Sequence, residues 1–157
     1  MENILYCTPG HIFCRANKVM LAVDGSEGSA RAATVAFEVA EMTNSKLFII
    51  HVIPTPVAKQ FSLMSDSNLE EVLRKYEDKG RKLLEGTKVA AEEYNLEIEL
   101  ILEKGLPAER IIHQAKLLNV DLIVIGSKGA AGSLRAGVGS SAERVVIGSE
   151  SPVLVVK

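Results

Sequence analysis

From Lys18 to the last residue the chain alternates short aliphatic runs with stretches whose apolar residues recur at helical spacing, and this alternation constrains the fold most. Lys18–Val23 (K-V-M-L-A-V) reads as a first strand, closed by the turn signal Asp24-Gly25-Ser26. Ser29–Thr43 then sets Ala33, Ala36, Phe37 and Ala40 on one helical face, and Lys46–Ile53 is a second strand rich in aliphatic and β-branched residues. Pro54-Thr55-Pro56 ends that strand. A connection reaching Asp66 follows, longer than the usual ~2–6 residues and carrying Phe61, Leu63 and Met64. Loops of that length serve as lids or partner contacts, so this one is expected to cover a ligand or join a dimer contact. Ser67-x-x-Glu70 reads as a capping box opening a long helix to about Tyr94. Leu96–Glu103 alternates as a half-exposed edge strand, and Pro107–Leu118 is a helix with proline in its first turn. Val120–Ile125 is a fourth strand, Ser140–Ile147 a short helix and Pro152–Val156 a last strand. Five strands and four helices are expected.

Each parallel β-α-β connection must cross over, and does so right-handedly, so this order implies an α/β fold: a doubly wound parallel sheet with helices on both faces. Ligands of such sheets bind beyond the strand carboxyl ends, where strand order reverses. If strands one and four are the neighbours at that reversal, Asp24 and Gly126 face one crevice.

The chemistry-bearing stretch is Ile125–Glu143, I-G-S-K-G-A-A-G-S-L-R-A-G-V-G-S-S-A-E. Five glycines lie between positions 126 and 139, and Ser140-x-x-Glu143 has the spacing of a second capping box. Glycine lets backbone approach a ligand closely, and a helix start aims free N–H groups and positive dipole at it. Phosphate suits that arrangement. Two better-known phosphate motifs fail. The P-loop needs Lys before Ser or Thr, whereas Lys128 follows Ser127; and Gly137-x-Gly139-x-x-Ala142 does not directly follow a strand, as a dinucleotide fingerprint must. Taken singly, Asp24 reads as a turn or cap residue, Lys128 equally as a solvated loop lysine, His51 as a core histidine and His113 as a surface one.

At 157 residues a single domain can bury a core without staples. A net charge of −2 offers no field for nucleic acid, and no apolar run approaches the ~20 residues of a membrane span. Residues 1–16 read as a leader before a domain at 17–157. Cys7, His11 and Cys14 fall one ligand short of a closed zinc site, and the two cysteines read as reduced thiols; with no secretory signal pattern, the cytoplasm is the expected location.

Gly126-x-x-Gly129, nine residues, then Gly139-Ser140 resembles the nucleotide-binding signature of the universal stress protein family. V-D-G-S-E at 23–27, His51-Val52 and the final P-V-L-V-V occur in that family's order, so the resemblance spans Lys18 to Lys157. It implies five parallel strands ordered 3-2-1-4-5 and a small ATP-binding stress-response regulatory protein of the subgroup with this glycine motif. By position, the resemblance puts Ala22, Val23 and Asp24 at the adenine and ribose, Asp24 accepting from a ribose hydroxyl, and Val52 at the adenine edge. It puts Ile125 and Gly126 beside the ribose and α-phosphate, and Lys128, Gly129, Gly139, Ser140 and Ser141 around the phosphates of ATP, ADP or AMP, with Mg as their companion. Ala136-Gly137-Val138 and Ser141 depart from the bulkier aliphatics usual there, which bears on affinity. The resemblance also implies a homodimer through the bare apolar edge Val153–Val156, beside a protein partner of unknown identity; no nucleic acid and no membrane are expected. Two alternatives stand beside the binder: a slow ATPase or phosphotransferase, for which the loop offers only Lys128, serines and Arg135, and a nucleotide-free interaction module.

Overall fold

The computed structural model describes residues 16–129 and 138–157. Cys7, His11 and Cys14 of the leader, and Gly132, Arg135, Ala136 and Gly137 of the glycine loop, lie outside the described residues. Among those described, β1 (Lys18–Ala22), β2 (Lys46–Pro54), β3 (Ile98–Gly105), β4 (Leu122–Gly126) and β5 (Val153–Val156) form one sheet. All pairings are parallel and the order is β3-β2-β1-β4-β5, as expected, so the reversal lies between β1 and β4.

Side chains alternate across each strand and feed two cores. Val19 and Leu21 of β1, and Val23 just past it, pack with Leu47, Ile49 and Val124 against α1 (Glu27–Thr43) and α3 (Leu69–Ala90). Met20 and Ala22 pack with Phe48, Ile50 and Ile123 against α4 (Pro107–Leu117) and α5 (Ser140–Gly148). Met20, Leu21, Leu47, Ile49, Ile50, Ile53 and Ile123 are fully buried, each contributing about 1.5–3 kcal/mol of transfer free energy before the entropy of ordering the chain. Polar ties fix which strands meet. The Asp121 carboxylate accepts from Asn17 N (2.8 Å) and Lys18 N (3.0 Å), fastening the start of β4 to that of β1.

Three expectations need correction. Pro54–Asp66 is not loop but mainly a helix, α2 (Thr55–Met64), with Pro56 in its first turn where a missing N–H costs nothing. Only Ala58 and Ser62 of α2 are buried, while Val57, Phe61, Leu63 and Met64 face solvent, so no apolar stripe of ordinary polarity announced it. The cap of α3 is Asn68, whose side chain accepts from Glu70 N (2.8 Å), not Ser67. That helix stops at Ala90, and a separate 3-10 turn spans Glu92–Tyr94.

Candidate functional site

The crevice is assembled from the two segments that leave β1 and β4. Past β1, Val23 N–H donates to Ile50 O (2.9 Å) and Val23 O accepts from His51 Nδ1 (2.8 Å). Gly25, at φ +83°, then reverses the chain in a conformation that a Cβ would strain. The Asp24 carboxylate accepts from Ser26 N (2.9 Å), and Ser26 caps α1 by accepting from Ser29 N (3.1 Å) through Oγ. The helix therefore opens at Glu27, two residues earlier than its apolar periodicity indicates.

Past β4, Gly126-Ser127-Lys128-Gly129 crosses directly over the first turn of α1. A Cβ on Gly126 would sit 2.7 Å from the Gly28 carbonyl, and one on Gly28 would sit 2.6 Å from Lys128 O. Backbone meets backbone here, so two glycines in contact bring the strand ends together. Ser26 Oγ reaches Lys128 O as well (3.4 Å). Beyond this crossing Gly129 lies on Asp24: a Cβ there would be 2.8 Å from Asp24 Oδ2.

The far end of the glycine loop returns to the same place. Gly139 N donates to Ser127 O (2.5 Å), and Ser127 N donates to Val156 O (2.7 Å), so the loop is closed at its neck and anchored on β5. Here the capping box expected at Ser140 is not formed. The cap is Gly139, Ser140 is the first helical residue, and among the described residues no side chain caps α5. Glu143 N makes the first turn's bond, to Gly139 O (2.9 Å). The amides before it have no acceptor within the helix and carry the positive end of its dipole. Thus α1 opens with its own serine cap, whereas α5 opens beside the crevice with none among the described residues.

Asp24, Gly126, Lys128, Gly129 and Gly139 are joined through these contacts, with Ser140 exposed and Ser141 half-buried at the α5 start. Ala22, Val52 and Ile125 are buried together on the α4 and α5 face, and Val23 is buried on the other. Val52 stands on β2, across β1 from β4. His51 is half-buried and hydrogen-bonded while His113 is exposed, as their sequence settings indicate. Sequence reasoning missed Gly28, Ser26 and Ser127. Gly28 carried no readable signal, because the apolar periodicity opens the helix only at Ser29 and leaves Gly28 outside it.

A separate open cleft of about 550 Å³ at the β3 edge is lined by Thr55, Lys104, Gly105, Leu106, Glu109, Arg110 and His113 and includes none of the expected site residues. Its cations are committed, Lys104 to Glu77 and Arg110 to Lys104 O (3.2 Å).

The profile of the universal stress protein family matches residues 16–157. Universal stress protein YxiE of Bacillus subtilis is 34% identical over 146 residues, covering 90% of this chain and 99% of the relative. Among solved structures, that of MJ0577 from Methanocaldococcus jannaschii superposes with a TM-score of 0.78 at 26% identity, over 90% of this chain and 95% of that one. A universal stress protein in complex with cAMP superposes with a TM-score of 0.58 at 26% identity, over 90% of this chain and 96% of that one.

Proposed function

Because the chain belongs to the universal stress protein family, we propose that it is an ATP-binding regulatory protein of the stress response, holding adenine nucleotide in the crevice between β1 and β4. The observation that carries this reading is the convergence of Asp24 and Gly129 beside an α-helix that, among the described residues, opens without a side-chain cap. A carboxylate accepts from ribose hydroxyls, and a helix start with glycines before it presents main-chain donors to phosphate. Gly129 fits the role, since a side chain there would crowd the Asp24 carboxylate, and Gly126 fits it by letting the first turn of α1 lie directly against the end of β4. The related protein in complex with cAMP supports an adenine ring and a phosphate as the chemistry recognised.

In this reading Ala22, Val23, Val52 and Ile125 border the base and ribose, Asp24 accepts from the ribose, and Gly126, Lys128, Gly129, Gly139, Ser140 and Ser141 surround the phosphates. Mg²⁺ arrives with the phosphates of ATP. The protein works in the cytoplasm as a homodimer through β5, whose four residues are only half-buried beside the exposed Val146 and Ile147 of α5; a bare apolar edge invites pairing.

Native mass spectrometry of the purified protein, followed by calorimetry with ATP, ADP and AMP, tests the reading. Co-purified adenine nucleotide or saturable binding is expected. No heat with any of the three would overturn it, and phosphate release at ~1–100 s⁻¹ would replace the binder with a phosphotransferase or hydrolase.

A further inference from the structure

We propose that His51 is a positioning residue of this crevice, holding the Val23–Asp24 peptide so that Asp24 is presented to Gly129; the inference rests on the nucleotide reading above. Its Nδ1 lies 2.8 Å from Val23 O. A carbonyl can only accept, so Nδ1 carries the proton and donates. The N–H of Val23 is bonded on the same side, to Ile50 O. Both polar groups of Val23 are therefore turned toward β2. Since the peptide is planar and trans, the Asp24 N–H points the other way, toward β4 and the glycine loop.

The ring is held as well as bonded. Gly80 of α3 lies over it, and a Cβ at position 80 would come within 2.8 Å of His51 Cδ2 and 3.0 Å of Leu102 Cδ1, Leu102 being the β3 register partner of His51. The imidazole is thus wedged between α3 and the sheet with its donor aimed at the residue before Asp24. A leucine would fill the same space. It would also leave the carbonyl of Val23, a residue only 5% exposed, without its side-chain donor. The first peptide of the turn would then be free to reorient, and Asp24 with it.

His51→Leu and His51→Asn separate donation from filling, because the asparagine amide Nδ2 reaches the place of Nδ1. Calorimetry with ATP on the folded proteins is expected to show about a tenfold loss of affinity or more for His51→Leu, the size of effect left by an orphaned buried acceptor, and within about threefold of wild type for His51→Asn. Wild-type affinity in His51→Leu, or equal losses in both variants, would overturn the proposal. Wild type failing to bind any adenine nucleotide would instead refute the nucleotide reading. The tie has its own readout in nucleotide-free protein. The Asp24 amide resonance is expected to move in His51→Leu and stay near its wild-type position in His51→Asn, and an unmoved resonance in both would overturn the tie itself.

Discussion

Asp24 Oδ2 lies 2.8 Å from the point that a Cβ on Gly129 would occupy, so the carboxylate that follows β1 and the loop that follows β4 share one space. The obstructing atom is the end of a short, solvent-exposed side chain and not packed main chain, so it can yield by a few tenths of an ångström while its other oxygen keeps the bond from Ser26 N. Gly129→Ala is therefore expected to leave thermal stability nearly unchanged while displacing the carboxylate from its place in the crevice. Nucleotide affinity should fall about 10–100-fold, about 1.4–2.8 kcal/mol, by calorimetry. An unchanged affinity would mean that Asp24 does not contact the ligand.

Gly126 presents the opposite case. Its would-be Cβ meets main chain, 2.7 Å from Gly28 C and O and 3.0 Å from Ser29 N, and main chain of a packed helix cannot step aside. Gly126→Ala must push the first turn of α1 off β4, so it is expected to cost about 1–3 kcal/mol in urea unfolding, as overpacking does. Wild-type stability would show that α1 does not lie this closely on the loop.

How much of this could be read beforehand depends on the range over which each signal acts. The strands and their order followed from aliphatic runs such as Lys18–Val23 and from the resemblance, because burial on both faces leaves a strong mark on sequence. The meeting of Asp24 with the glycine loop followed once the resemblance set strands one and four side by side. What escaped was decided by single contacts. Helix α2 is seated by only Ala58 and Ser62 and shows its larger apolar residues to solvent, inverting the usual pattern. The capping box at Ser140 had the right spacing, but Gly139 takes the cap position because its N–H closes the loop neck on Ser127. The contact between Gly28 and Lys128 joins residues 100 apart, and no local pattern encodes it.

Two glycines in one helix should respond oppositely to the same substitution. Gly86 of α3 is exposed with nothing within 4 Å of its would-be Cβ, so Gly86→Ala is expected to stabilise by about 0.5–1 kcal/mol through helix propensity. Gly80→Ala gains the same propensity but must displace the His51 ring and Leu102, held from behind by β2 and β3, and is expected to destabilise by about 1–2 kcal/mol. Urea midpoints of both variants measure the signs, and stabilisation by Gly80→Ala would show that the ring is not wedged under α3.

Two partly exposed ion pairs tie neighbouring elements and should be lost at opposite ends of the pH scale. The Lys104 ammonium, by hydrogen bond and then by charge, holds the Glu77 carboxyl below its ordinary range. A carboxyl lowered on folding contributes stability above its unfolded value, and the contribution disappears as pH falls through the folded one. Glu77→Gln should thus be less stable than wild type at neutral pH, with the gap closing as acid protonates the folded carboxyl. Lys46 is the mirror case: its hydrogen bond to Glu99 (2.7 Å), partly opposed by desolvation and reinforced by the charges of Glu99 and Glu97, raises it above 10.5. Its contribution is complete below that ordinary value and is lost only as pH climbs through the raised one, so Lys46→Gln should show a constant deficit through neutral pH that narrows in strong alkali. Both deficits should shrink at ~1 M salt, where screening is strong. Urea midpoints across pH at low and high salt test this, and a Glu77→Gln deficit that persists undiminished in acid would assign the effect to packing instead of charge.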